Sequence, residues 1–89
     1  MTMDNIIPTP TIGEIIKKEF MEPLNLSAYR VAKEINVPTS HIQDILQDRR
    51  EITLDTSIRL GRLFGISERY FINLQSEINL RKAGREHAD

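Results

Sequence analysis

Cysteine is absent from all 89 residues, which excludes disulfides and thiolate metal sites alike. Such a chain suits a reducing compartment, and a cytoplasmic location is expected. Tryptophan is absent as well, and aromatic residues make up only 6% of the chain. Any core must therefore come mostly from Leu, Ile, Val and Phe. No apolar run reaches the roughly 18 residues that a membrane span requires, so no membrane partner is expected. The opening Met1-Thr2-Met3-Asp4-Asn5 has neither the basic region nor the apolar stretch of a secretory signal. Catalytic signatures are missing too. There is no Gly-rich phosphate loop, no Cys nucleophile and no His-Glu spacing for a metal. Ser40-His41 has no orienting acid evident in the sequence, and adjacency is not triad geometry. The remaining histidine, His87, sits in the tail, far from His41. The chain is expected to be no enzyme and to need neither cofactor nor metal.

Excess charge is also lacking: 12 Lys and Arg against 13 Asp and Glu give a net charge of −1. That weighs against nucleic-acid binding in bulk, because phosphate neutralisation needs positive charge. A near-neutral domain still binds nucleic acid if its cations gather on one face. It also leaves acidic surface for a basic partner.

What is present is helical. Residues 1–10 contain Pro8 and Pro10 without periodicity and read as an extended lead-in. Thr11 and Glu14 have the spacing of a capping box. Ile12, Ile15, Ile16, Glu19 and Phe20 follow at helical intervals, their apolar members on one face, up to Pro23. Ser27 is placed to cap a second helix over residues 28–35, with Val31, Ala32 and Ile35 on one stripe. Pro38-Thr39-Ser40 opens a third, carrying Ile42, Ile45 and Leu46 inward and ending near Asp48-Arg49. Thr39 or Ser40 is expected to satisfy its free backbone N–H groups. A linker over residues 50–53 leads to a fourth helix, from about Asp55 to Phe64, with Ile58, Leu60, Leu63 and Phe64 apolar and Gly65 as its stop. Ser67 is expected to cap a fifth, with Tyr70, Phe71, Leu74, Ile78 and Leu80 as its stripe. That stripe reads as core, or in part as a dimer seam. Residues 81–89 read as a charged tail that frays. The expectation is an all-α fold: one five-helix domain over residues 11–80.

The informative stretch is residues 28–47. Two short helices are separated by Asn36-Val37-Pro38, too tight a link for a slack antiparallel hairpin. It fits two helices crossing steeply, the helix-turn-helix arrangement. Ala32 supplies a small side chain where the helices would cross. Asn36 tolerates the left-handed backbone that the turn demands. Val31, Ile35, Val37, Ile42 and Ile45 are apolar where the pair would share a core.

Residues 28–47 resemble the helix-turn-helix of phage-repressor-like (Xre-type, lambda-repressor-like) regulators. Over nearly the whole chain the sequence resembles the HigA (VapI-like) antitoxins of bacterial toxin–antitoxin modules. The shared residues are Gly13-Glu14-Ile15, Phe20-Met21-Glu22-Pro23-Leu24, Leu26-Ser27, Val31-Ala32, Val37-Pro38 and Ile45-Leu46. They continue at Arg50-Glu51-Ile52-Thr53, Asp55-Thr56, Arg59-Leu60, Phe64-Gly65 and Asn73-Leu74-Gln75. Asn36 stands where that family usually has Gly, and Phe71 where it usually has Trp. The resemblance implies an antitoxin that silences a HigB-type, RelE-like ribonuclease toxin. It also implies autorepression of the operon by a homodimer on double-stranded operator DNA.

In a helix-turn-helix the second helix enters the major groove with its N-terminal side chains at base edges. Outside the Ile42/Ile45 stripe lie Thr39, Ser40, Gln43, Asp44 and Gln47. Gln43 is the foremost base reader, since an amide pairs bidentately with adenine. Thr39 and Ser40 are expected at bases or phosphate. Asp44 repels phosphate but can accept from a cytosine amino group or orient a neighbour. Arg49 and Arg50 are expected to clamp phosphate or reach a guanine. Tyr29 and Arg30 are expected at the backbone beside the start of the second helix. Each has a rival reading. The glutamines fit ordinary solvated positions, the arginines a helix end favoured by the dipole, and Tyr29 packing against the first helix. His41 is expected exposed or near phosphate. On function, the rivals are a stand-alone phage-type repressor and an interaction module that has lost DNA binding.

Overall fold

The computed structural model describes residues 10–87, with side chains to Gly84; the expected lead-in over residues 1–10 lies, but for Pro10, outside the described residues. Helix α1 spans Ile12–Ile15 and continues as a π-helical segment, Ile16–Met21. Then follow α2, Ala28–Ile35; α3, Thr39–Leu46; α4, Leu54–Phe64; and α5, Tyr70–His87. No strand occurs among the described residues. The fold is all-α.

Local chemistry sets most of these boundaries. Thr11 accepts the Glu14 N–H at 3.1 Å, and the Glu14 carboxylate accepts the Thr11 N–H at 3.0 Å, completing the capping box. Ser27 accepts the Arg30 N–H at the start of α2, and Thr53 accepts that of Thr56 at the start of α4. Asn36, at φ 61° and ψ 51°, ends α2 in the left-handed region, and Gly65 ends α4 at φ 71°. The Val37 N–H then closes on the Ala32 carbonyl at 3.0 Å.

Several details depart from what the sequence leads one to expect. The first helix widens, so that the Glu22 N–H reaches the Lys17 carbonyl, five residues back. Pro23 follows at once; it has no N–H, and its ring would clash with the Glu19 carbonyl of an α-turn. A π-turn brings residues five apart onto one face, so Met21 joins Ile16 in the core while Glu19 is exposed. The start of α3 carries no side-chain cap from Thr39 or Ser40; Pro38 is its N-cap residue. Ser67 does not cap α5 directly. Its hydroxyl accepts the Arg69 N–H within a turn, and the helix begins at Tyr70. That helix does not fray after Leu80 but runs on to His87. Residues 80–83 are good helix formers, no proline interrupts them, and Glu77 and Arg81 approach to 3.9 Å at helical spacing.

The core is a single cluster, drawn from Ile12, Ile16 and Met21 of the first helix, Val31, Ala32 and Ile35 of α2, Ile42 and Ile45 of α3, Ile52, Leu60, Phe71 and Ile78. Phe20, Phe64, Tyr70 and Phe71 pack beside it with ring centroids 5.0–6.1 Å apart, mostly edge to face. Two members of the expected α5 stripe stay outside: Tyr70 is 41% and Leu80 67% exposed. Two buried polar side chains tie connections to helices. Ser57 donates to the Glu68 carbonyl at 2.7 Å and accepts the Ile72 N–H at 3.0 Å. Gln75 accepts the Ile52 N–H at 3.0 Å, satisfying a linker donor that would otherwise be buried alone.

Candidate nucleic-acid interface

The α2–α3 pair is the tightest unit of the fold. Val31 and Ala32 are almost wholly buried, as are Ile42 and Ile45, so of α3 only the outward row is free to meet another molecule. The pair is held at both ends. At the turn, Arg59 of α4 donates to the Ile35 carbonyl at 2.8 Å while pairing with Asp55 at 2.9 Å. Beyond α3, Asp48 turns at φ 60°, and its carboxylate accepts the Gly13 N–H at 3.1 Å in the first turn of α1. A carboxylate is favoured at that positive end of a helix. Gly13 is required there: a Cβ would run into the carbonyls of Leu46 and Ile45.

On this frame Ser40, Gln43 and Gln47 are exposed, and Thr39 and Asp44 half-buried. Arg49 and Arg50 are exposed just past the helix. The structure brings four of the expected residues into one network. Asp44 lies 3.3 Å from the Arg49 Nε and 4.0 Å from the Arg50 guanidinium. Arg49 also donates through Nη1 to the Gln47 Oε1 at 2.5 Å. The charge of Asp44 is thus set against two cations rather than facing outward alone. Arg30 pairs with Glu34 one turn on, at 2.9 Å. Tyr29 is 62% exposed, so its side chain is not packed away against the first helix. His41 differs from expectation: it is half-buried, its Nε2 3.5 Å from the Thr56 hydroxyl of α4. An inward-leaning ring at that distance braces α3 on α4.

Sequence reasoning missed the roles of the residues that hold this surface in place, Asp48 and Arg59, and of Ser57 and Gln75, which tie the connections behind it. For Asp48 a signal existed, since Asp tolerates the left-handed region. The Asp55–Arg59 spacing was a second, although its helical-pair reading does not reveal the reach to Ile35. No group of three or more potential metal ligands occurs among the described residues. No helix among them is long and apolar enough to cross a membrane.

Residues 17–71 match the model of the helix-turn-helix family. The chain is 37% identical over 82 residues to virulence-associated protein I of Dichelobacter nodosus, covering 92% of this chain and 76% of that one. It superposes on the Pseudomonas aeruginosa antitoxin HigA, solved with the higBA promoter, with a TM-score of 0.83 and 34% identity over 89% of this chain and 86% of that one. The chain belongs to the helix-turn-helix family, in its HigA-like branch. A second P. aeruginosa protein, solved in complex with its operator DNA, matches this HigA-like chain with a TM-score of 0.86 and 32% identity, over 93% and 89% of the two. The family is one of DNA-binding regulators, not of enzymes.

Proposed function

We propose that this HigA-like protein is the antitoxin of a bacterial toxin–antitoxin module. It neutralises a HigB-type, RelE-like ribonuclease toxin and, as a cytoplasmic homodimer, represses its own operon on a palindromic operator. The observation that carries the DNA arm is the outward row of α3. Ser40, Gln43 and Gln47 stand free of the core, and Arg49 and Arg50 lie on the adjoining loop. Thr39 and Asp44 flank that row, and Tyr29 and Arg30 lie at the start of α2, beside the duplex backbone in this docking. Likeness to an antitoxin solved with its promoter supports the same reading. A domain this small holds one half-site weakly; a two-fold pair doubles the contacts and fixes half-site spacing.

The test is an electrophoretic shift on the protein's own promoter against a scrambled duplex at physiological salt, repeated with one half-site removed. Selective binding is expected. Gln43→Ala should relax selectivity, and Arg49→Ala should weaken binding to all duplexes. Loss of one half-site should abolish the tight complex. Adding the protein to the neighbouring toxin should stop RNA cleavage. Selective DNA binding without any effect on the toxin would leave a stand-alone repressor. No selective shift from a folded protein would overturn the DNA arm.

A further inference from the structure

Asp44 is the one acidic side chain in the outward row of α3, where simple electrostatics gives it nothing to do but repel phosphate. Its contacts say otherwise. The carboxylate holds the Arg49 Nε at 3.3 Å, and the same guanidinium donates to Gln47 at 2.5 Å. A guanidinium only donates, so the Gln47 atom it meets must be the carbonyl oxygen. That contact takes one of the two lone pairs of the oxygen, so the group that Gln47 keeps wholly free is its –NH2. Gln43, by contrast, takes part in none of the side-chain hydrogen bonds among the described residues, and its amide keeps both functions.

From this geometry we infer that the Asp44–Arg49–Gln47 network sets base preference, with Asp44 as a positioning residue that biases Gln47 toward reading as a donor. An unconstrained glutamine pairs bidentately with adenine, which takes its oxygen and its –NH2 together. Here a charged donor already takes one lone pair of the oxygen. The same positive charge disfavours the adenine amino group beside it. An edge that only accepts, such as the guanine N7 and O6 pair, suits both the –NH2 and the neighbouring guanidinium. Arg49 can keep this hold while it meets phosphate, because Nε and one Nη1 hydrogen do not exhaust its N–H donors. The inference rests on the proposed reading of α3 as the helix that enters the groove.

The experiment is selection from a library of duplexes randomised across the half-site. The full-length wild-type protein is compared with Gln47→Ala, Asp44→Asn and Arg49→Lys. Gln47→Ala identifies the base step that Gln47 reads, as the step whose preference disappears. At that step the wild type is expected to select guanine. Asp44→Asn is expected to move the adenine-to-guanine ratio toward adenine by about tenfold, in the range that one bidentate pair contributes. Arg49→Lys, which keeps the cation but cannot grip both partners in that fork, is expected to act in the same direction. Thermal melts of the exposed-site variants confirm that they are folded. A wild-type preference for adenine at the step would overturn the inference. So would a guanine preference that survives Asp44→Asn while only affinity changes, or a Gln47→Ala variant that alters no step. Failure of the underlying reading looks different: the wild type itself would select no sequence.

Discussion

Gly13 and Asp48 form a small device whose parts lie 35 residues apart. The sequence marks Gly13 only through a resemblance; nothing around it calls for a positive φ or a turn. Its reason is a steric one at long range, the carbonyl of Leu46 where a Cβ would stand. Gly13→Ala should therefore destabilise the fold by about 1–3 kcal/mol, the usual cost of overpacking a tight contact, as read in urea denaturation. A stability equal to wild type would mean that α1 and α3 can part without loss. The exposed residues teach the opposite lesson. Ser40, Gln43 and Gln47 were legible as exposed because helical periodicity says which side chains face out. The bonds around them were not, since the Asp44–Arg49 pair depends on how the chain turns after Leu46. That turn rests on Asp48 taking a positive φ, which a local pattern does not announce.

Helix ends divide into those that were read well and those, at Thr39, Ser40 and Ser67, that were not. Thr11, Ser27, Asn36 and Gly65 do what their side chains, or the lack of one, suggest. Asn36 permits a direct test. Its left-handed φ of 61° costs a β-branched residue about 1–2 kcal/mol. Asn36→Val should lower stability by that amount, whereas Asn36→Gly should stay within about 1 kcal/mol of wild type. Calorimetric melting temperatures would show the ordering, and a tolerated Val would remove the conformational argument for the turn. The first helix was the element read least well. Nothing in a 3.6-residue pattern points to a π-turn, so Met21 could not be assigned inward. The end of α5 was misread through composition. Charge suggested a loose tail, yet residues 80–83 are strong helix formers, and charge on an exposed helix is no obstacle to it.

For the whole molecule, a net charge of −1 means that affinity for DNA must come from local cations rather than from the overall field. If Arg49 meets a phosphate, its removal takes one counterion release with it. The slope of log affinity against log salt should then flatten by about 1 in Arg49→Ala. Arg30→Ala puts the same question to the guanidinium at the start of α2, which pairs with Glu34 as Arg49 pairs with Asp44. Filter binding from low to physiological salt measures both slopes. An Arg49→Ala slope equal to wild type would remove Arg49 from the phosphate contacts. The two anchors of the α2–α3 pair act at this scale as well. With Arg59 holding the Ile35 carbonyl at the turn and Asp48 holding the Gly13 N–H beyond α3, the backbone of α3 is tied at both ends before any partner arrives. Its ordering entropy is settled when the chain folds, so encounter with a duplex immobilises mainly side-chain tips and water. If α3 is the helix that enters the groove, such a frame offers every sequence the same template, and adjustment of fit falls to the duplex.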